Sequence, residues 1–413
     1  MQRESMRSCF KSPPLHILAW NDWVVLFFLF LASMNFKNWY AYLVFAAFAF
    51  FLLLNNRQVR IDTSIIPLIC FSFILLLFWP SAQISLNAML KVFIYPMCYL
   101  LGYNMPAKRM NLSEAERATR SLTVVLAFGA LVHLGLNMIS NWGSEDGRNT
   151  LDFWTESVLS ATNQAALAIM MLGVAVALLL GKFSKGMKLF ALSSLAVIVL
   201  YNLQLAGRTL FVLIALIFVV GFVYQLLFLS RTKQSVRLLL GLALLAVLLI
   251  AAYQQNVFGI KDLIENSNFY DRFFGEHAMD LDEDGRMDRK IEYLKLFFAH
   301  PWGGSYIHNE VGGYAHDLYL DTYDEAGIFA LLSIAVIVVG AVLKLLKVIR
   351  SKVIENDTKL FLVCVFFAIL VEFMIEPILA GVPWLLACFC AIYGSTSRLC
   401  KIAGGSQSIA VKE

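Results

Sequence analysis

Three arginines and one histidine carry the clearest chemical signals in the sequence. Arg208 stands in LAGRTLF, residues 205–211, between two long apolar runs, so its guanidinium is expected at a membrane boundary. There it would suit a lipid-linked phosphate, because arginine makes paired, charge-assisted hydrogen bonds to phosphoryl oxygens. An arginine that snorkels from a helix end is an equally common explanation of such a position.

Arg286 and Arg289 stand about one helical turn apart at the start of a predicted helix, residues 288–299. Basic side chains have the wrong sign for the positive end of a helix dipole. Two guanidiniums and a helix N-terminus would together suit an anion. The ordinary alternative is a solvated helix N-terminus.

His316 lies in GGYAHDLYLDTYDEAG, residues 312–327, which predicts a helix that continues into a membrane span. A histidine titrates near neutral pH, so it can take a proton from a sugar hydroxyl, although a hydrogen-bonded structural histidine is as common. Aromatic side chains nearby offer stacking faces for sugars, and aromatics are equally expected at a membrane interface. These aromatic residues are Tyr314, Tyr319, Tyr323 and Trp302.

An acidic stretch, MDLDEDGRMDR at residues 279–289, precedes the predicted helix. Its residues Asp280, Asp282, Asp284 and Gly285 match the first half of a calcium-binding loop. Position twelve of that loop is Ile291 instead of a glutamate, so the match breaks. The stretch is therefore a weak metal candidate. Its favoured role is to turn the chain at Gly285 and present Arg286.

The elements that must position these residues are predicted to be membrane helices. The chain has 413 residues, of which 60% are hydrophobic and only 15% charged, whereas soluble domains carry about a quarter charged residues. Twelve apolar runs are long enough to cross a bilayer as helices. The expected class is an all-α polytopic membrane protein. The runs cover about residues 17–35, 38–54, 63–80, 87–104, 121–140, 158–181, 188–206, 209–229, 238–253, 327–346, 360–380 and 383–397.

The distribution of Lys and Arg predicts the orientation. Every even-numbered connection is basic, and odd-numbered ones hold at most one basic residue, apart from the long segment between runs nine and ten. Both termini are therefore expected on the cytoplasmic side. The predicted divisions are helices one to nine in 1–253, an outer helical cap in 254–326, and helices ten to twelve in 327–413. None of the seven cysteines falls in a predicted outer loop, so no disulfide framework is expected.

A few charged residues fall inside predicted spans. Glu372 and Glu376 are four residues apart beside Pro377, and Lys91 lies in the fourth span. Charges within a membrane are costly, so they are usually paired or functional. Arg208 and Lys91 are candidate partners for the two carboxylates. Midplane polar groups of this kind also keep a transporter among the alternatives, although no internal repeat is visible.

Together these motifs resemble the bacterial O-antigen ligase and O-antigen polymerase family. The resemblance rests on GRTL before a span, on R…Y…HPWGG in a late outer loop, and on HDLYLDTYDEAG leading into a span. The ligase pattern is His, then Asn, Ser or Gln, nine residues, Gly, two residues, and a small residue or Tyr. In this chain His316 and Gly327 keep that spacing, whereas Asp317 departs from the pattern.

The resemblance implies a metal-independent, inverting glycosyltransferase without a cofactor, acting at the periplasmic face of the bacterial inner membrane. The donor would be a glycan on undecaprenyl diphosphate, and the acceptor a lipid A core sugar. Arg208 and Arg286 would hold the diphosphate, with Arg289 as substitute for Arg286, and His316 would be the base. Substrate contacts are expected from Arg289, Tyr314, Tyr319, Asp317 and Trp302.

The alternatives differ in acceptor and in class. A polymerase would use a second lipid-linked repeat unit as acceptor, and the donor motifs do not separate it from a ligase. A transporter of lipid-linked sugars would perform no chemistry, and an assembly subunit would tolerate loss of Arg208, Arg286 and His316. No nucleic-acid partner is expected for any of them.

Overall fold

The protein is described by a computed structural model. It describes residues 20–54, 58–78, 86–105, 111–142, 149–229, 236, 240–241, 247–248, 250–267, 269–270, 274 and 285–410. These residues are mostly helical, which confirms the predicted all-α class. The helices are α1 Trp20–Ser33, α2 Tyr40–Leu54, α3 Ile66–Leu77, α4 Leu86–Asn104, α5 Leu112–Ser140, α6 Ala161–Leu180, α7 Lys185–Leu205, α8 Arg208–Leu229, α9 Ile260–Glu265, α10 Arg286–Leu296, α11 Tyr306–Val311, α12 Leu318–Arg350, α13 Asn356–Glu372, α14 Ile378–Gly381 and α15 Pro383–Ala410.

Six helices among the described residues are long and apolar enough to cross a membrane, so the chain is a membrane protein. They are Leu112–Ser140, Ala161–Leu180, Lys185–Leu205, Thr209–Leu229, Leu318–Arg350 and Pro383–Gly405. Three shorter apolar helices lie near the N-terminus, at Asp22–Ser33, Tyr40–Leu54 and Thr63–Leu77. Half of the ninth predicted run, residues 238–253, lies outside the described residues. The count of twelve spans and the outer location of the cap stay predictions.

Helix α6 forms the centre of the bundle. It is buried on nearly all sides and packs against α5, α7, α8 and α13. On the other side of the bundle, α15 packs against α4, α5 and α12. The α4–α15 contact is close because a Cβ on Gly102 or Gly394 would overlap the carbonyl oxygens of Ala391 and Tyr99. Small residues allow this close approach between membrane helices.

The sequence reading missed a short hairpin between α5 and α6. Strands β1, Asn149–Leu151, and β2, Val158–Ser160, pair antiparallel. Asp152 fixes its turn by accepting hydrogen bonds from two backbone N–H groups, and His133 of α5 lies 2.7 Å from the same carboxylate. Burial alone would raise the pKa of Asp152, but these hydrogen bonds hold that pKa below its usual value.

The predicted helix at residues 288–299 begins at Arg286 and ends at Leu296, as α10. The helix predicted over 312–327 begins at Leu318, as the first part of α12. Between them lie HPWGG and the short helix α11. A small apolar cluster of Tyr293, Ile307, Ala315 and Tyr323 holds these pieces together.

Helix α12 is interrupted at Gly327, whose φ of 76° and ψ of −172° suit glycine almost alone. The HPWGG segment, residues 300–304, forms hydrogen bonds with backbone groups on both sides of the interruption. Ile328 donates its N–H to the Pro301 carbonyl at 2.9 Å, and Gly304 donates to the Glu325 carbonyl at 3.1 Å. A Cβ at Gly327 would collide with the backbone of Trp302. The glycine therefore permits the contact that satisfies the broken helix.

Candidate functional site

Glu376 is the residue on which the candidate site converges. Its Oε1 lies 3.4 Å from Nη1 of Arg286, and its Oε2 lies 3.9 Å from Nδ1 of His316. The Glu376 side chain is 2% exposed, whereas His316 and Arg286 are 21% and 24% exposed. The predicted base, His316, and one of the predicted anion-binding residues, Arg286, thus contact the same buried carboxylate.

His316 is held in a constrained turn before α12. Its φ of 55° lies in the left-handed region, which costs a non-glycine residue on the order of 1–3 kcal/mol. The carboxylate of Asp321 fixes the turn, because it accepts hydrogen bonds from Ala315 N at 2.8 Å and Asp317 N at 3.2 Å. Leu318 N then donates to the carbonyl of Phe373 at 2.8 Å. These contacts hold His316 beside the turn that carries Glu376.

The imidazole of His316 has two different edges. Its Nδ1 is enclosed and has no hydrogen-bond partner among the described residues. The accessible part of the ring is therefore on the Nε2 side. At 3.9 Å the Nδ1–Glu376 contact is longer than a hydrogen bond. The arrangement leaves Nε2 for a ligand and directs Nδ1 to a carboxylate.

Asp317 acts structurally in the contacts that the structure shows. Its Oδ1 accepts hydrogen bonds from Tyr319 N at 2.9 Å and Leu320 N at 3.2 Å, so it caps α12. Its Oδ2 lies 3.3 Å from Nζ of Lys290, and that amine also donates to the carbonyl of Met374 at 2.7 Å. Asp317 and Lys290 thereby tie α10 to the loop after α13. The predicted substrate contact of Asp317 stays a prediction.

A second carboxylate, Glu372, lies one turn before Glu376 in the chain, where Glu376 N donates to the Glu372 carbonyl at 3.1 Å. Both side chains are almost completely buried. Glu372 Oε1 and Glu376 Oε2 have no hydrogen-bond partner among the residues that the structure describes. Unsatisfied buried oxygens of this kind favour hydrogen-bond donors from a ligand.

The predicted substrate-binding residues fall into three positions. Arg289 lies over Gly313, where a Cβ would be 3.4 Å from its Nη1. Tyr314 and Trp302 are 43% and 64% exposed, with Tyr314 against the ring of His308. Tyr319 instead packs against the core of the bundle. Arg289, Tyr314 and Trp302 are thus at least partly exposed, whereas Tyr319 supports the helix packing.

Arg208 begins α8, and its side chain lies outside the described part of the structure. The helix contacts still locate its backbone. Gln225 donates to the carbonyl of Leu180 at 2.9 Å, and Gly221 abuts Leu180 and Cys364. Helices α6 and α8 therefore run in the same direction. Lys182 N, just after α6, donates to the carboxylate of Asp357 at the start of α13 at 3.0 Å, so α13 runs in the opposite direction. Arg208 thus lies at the same end of the bundle as Glu372.

The acidic residues Asp280, Asp282 and Asp284 lie outside the described residues. Within the described ranges, no group of three His, Cys, Asp or Glu side chains could hold a metal ion. Because the three aspartates are not described, the metal site at residues 280–284 stays a prediction.

Sequence reasoning missed the partner of Glu376. It singled out this glutamate but named Arg208 or Lys91 as candidate partners, whereas the structure pairs it with Arg286. Lys91 instead lies 6.0 Å from the ring of Tyr40. The only local signal was two glutamates in an apolar run, and it could not indicate which distant cation they meet.

Comparison with known proteins adds no identification. No protein-family model matches the chain, and no curated protein matches it either.

Proposed function

We propose that the protein is a membrane glycosyltransferase of the O-antigen ligase type, which moves a glycan from undecaprenyl diphosphate to an acceptor sugar. The observation that carries this proposal is the meeting of His316 and Arg286 at buried Glu376. A base with an orienting carboxylate and a nearby anion-binding guanidinium is the set of groups that such a transfer needs. The sequence resemblance supplies the substrate class.

His316 is the general base in this proposal. Its Nε2 takes the proton of the acceptor hydroxyl, while Nδ1–H points to Glu376. The carboxylate holds the ring in one tautomer and stabilises the imidazolium, as the aspartate does in a Ser-His-Asp triad. We expect the 3.9 Å distance between His316 Nδ1 and Glu376 Oε2 to shorten in the substrate complex, because catalytic hydrogen bonds are often long without substrate.

Arg286 binds the leaving diphosphate. The acceptor oxygen attacks the anomeric carbon, the bond from that carbon to the diphosphate oxygen breaks, and its electron pair stays on the diphosphate. A guanidinium forms paired hydrogen bonds to phosphoryl oxygens, so a diphosphate competes well with the 3.4 Å contact to Glu376. Arg289 lies one turn further along α10, and Arg208 lies at the same end of the bundle as Glu372. Both add positive charge at this end.

The departure at Asp317 is chemically conservative. The ligase pattern has Asn, Ser or Gln at this position, and Asp317 caps α12 here. Asn, Asp and Ser are the preferred residues at a helix N-cap, so the substitution keeps the turn that positions His316.

The proposed location is the periplasmic face of the bacterial inner membrane, with both termini cytoplasmic and no cofactor. The acceptor is a lipid A core sugar for a ligase and a lipid-linked repeat unit for a polymerase. The same donor chemistry serves both. The assay therefore includes each acceptor.

The test is glycan transfer by the purified protein in liposomes that contain undecaprenyl-diphosphate-linked glycan and one acceptor at a time. The wild type is expected to form product with one acceptor and to need no translocation of the lipid. Product formation excludes a pure transporter. If the folded protein forms no product with either acceptor but moves the lipid-linked glycan across the bilayer, the transferase proposal is wrong.

A further inference from the structure

Arg398 is a buried arginine at the other end of the bundle from His316. It lies fifteen residues into α15, or about 22 Å from Pro383 at 1.5 Å per residue. Cys400, half a turn later, donates from Sγ to the carbonyl of Lys344 near the C-terminal end of α12. His316 precedes the N-terminal end of α12, so the two positions lie at opposite ends of the same helix pair.

The guanidinium of Arg398 has no acidic partner among the described residues. The residue is 7% exposed, and its Nε makes no hydrogen bond to any residue that the structure describes. The described acids at this end have other partners. Asp62 contacts Lys344 at 3.6 Å, and Glu355 contacts Arg120 at 3.4 Å. Glu116 accepts hydrogen bonds from Glu355 N and Thr358.

The contact that Arg398 does make is with an aromatic ring. Its Cζ lies 5.7 Å from the ring centre of Tyr103, and Tyr103 stacks in turn on Tyr99. The hydroxyl of Tyr103 is also buried, and it has no hydrogen-bond partner in the described part of the chain. A cation–π contact contributes about 0.5–2 kcal/mol, which is less than the several kcal/mol that burial of a charge requires. Arg398 and Tyr103 therefore favour a further partner that is negative and accepts hydrogen bonds.

We propose that Arg398 and Tyr103 form a binding site for a phosphoryl anion at this end of the bundle. The guanidinium supplies charge and a planar set of donors, and the tyrosine hydroxyl supplies one more donor. The ligand is the phosphate of an anionic phospholipid headgroup or a free phosphate ion. The charge distribution predicts this end as the cytoplasmic one, where anionic lipids attract basic residues. The site is separate from the proposed transferase chemistry.

The test measures binding to the full-length, delipidated protein in detergent by native mass spectrometry and thermal unfolding. The probes are dioleoyl phosphatidylglycerol, inorganic phosphate, and dioleoylglycerol, which has the same acyl chains without phosphate. Arg398→Gln removes the charge, and Tyr103→Phe removes only the hydroxyl. Lys401→Gln is the matched control, because Lys401 is an exposed basic residue three positions later on the same helix.

The wild type is expected to bind phosphatidylglycerol or phosphate and not dioleoylglycerol. Arg398→Gln should bind about ten- to a hundredfold more weakly, as expected for loss of hydrogen bonds to a charged group, and Tyr103→Phe several-fold more weakly. Lys401→Gln should bind as the wild type does. Binding of phosphatidylglycerol alone identifies a lipid site, and binding of phosphate alone identifies a free-anion site.

Three results would overturn the proposal. They are equal binding of dioleoylglycerol and phosphatidylglycerol, no binding of either phosphate probe by the wild type, and unchanged affinity in a folded Arg398→Gln protein. If Arg398→Gln does not fold, Tyr103→Phe decides, because it keeps the ring under the guanidinium. Wild-type affinity in that variant contradicts the site.

Discussion

Replacing Glu376 by Gln removes the charge that His316 and Arg286 share and keeps the size of the side chain. Two unit charges 4 Å apart interact by about 4 kcal/mol at an effective dielectric constant of 20. The contact between Nδ1 and Oε2 is 3.9 Å, and the imidazole is partly exposed, so screening reduces this value. We expect the substitution to remove about 2–4 kcal/mol of stabilisation from the imidazolium that forms in the transition state. The turnover number kcat should fall about thirty- to a thousandfold, since about 1.4 kcal/mol corresponds to a factor of ten.

A defect in donor binding would raise the donor KM, and we do not expect such a rise. Glu376 competes with the diphosphate for Arg286, so Glu376→Gln is expected to lower KM for the lipid-linked donor or leave it unchanged. Initial rates over a range of donor concentrations in liposomes measure both constants. Glu310→Gln is the control, because Glu310 is an exposed carboxylate that lies 3.7 Å from a different histidine, His300. An unchanged kcat, or a loss confined to a raised donor KM, would refute the role given to Glu376.

The other predictions concern the anion site, the broken helix, the hairpin and metals. Arg286→Gln should raise donor KM and lower kcat/KM in steady-state assays, by a factor that corresponds to a loss of about 2–4 kcal/mol of transition-state stabilisation. Wild-type constants would exclude diphosphate binding by Arg286. Gly327→Ala should destabilise the protein by about 1–3 kcal/mol because of its backbone conformation, with more from collision with Trp302, and an unchanged Tm would contradict this. The lowered pKa of Asp152 means that its ionised form stabilises the fold above an unfolded-state pKa of about 3.9 and that this contribution is lost as pH falls further. Tm should therefore fall more steeply below about pH 5 in the wild type than in Asp152→Asn, and equal slopes would be inconsistent with the role of Asp152. Chelation should leave transfer unchanged, and loss of activity restored by calcium would return the DLDEDG stretch to consideration as a metal site.

Local patterns in the sequence predicted the starts of several helices. Apolar runs and their breaks place α6, α8 and α15 close to their observed starts, because a membrane span must satisfy its own backbone hydrogen bonds. The hairpin was missed because its strands have three residues each, too short for a periodic signal. The break at Gly327 was also missed, since the hydrogen bonds around it come from the HPWGG segment, which lies elsewhere in the sequence.

The candidate site could be predicted in its members and not in its contacts. His316 and Arg286 were identified by residue type and local setting. Their meeting at Glu376 depends on contacts across 60 and 90 residues, which no local pattern specifies. The structural role of Asp317 was missed for a related reason, because a helix cap is recognised only once the helix start is known.

The most direct measurement is the rate of glycan transfer in liposomes by folded His316→Ala protein, compared with His300→Gln, between α10 and α11, as the control. A general base contributes about a hundred- to ten-thousandfold to a rate. We predict a loss of that size for His316→Ala at unchanged donor binding, and wild-type transfer by His300→Gln. Wild-type transfer by His316→Ala would contradict the proposed chemistry.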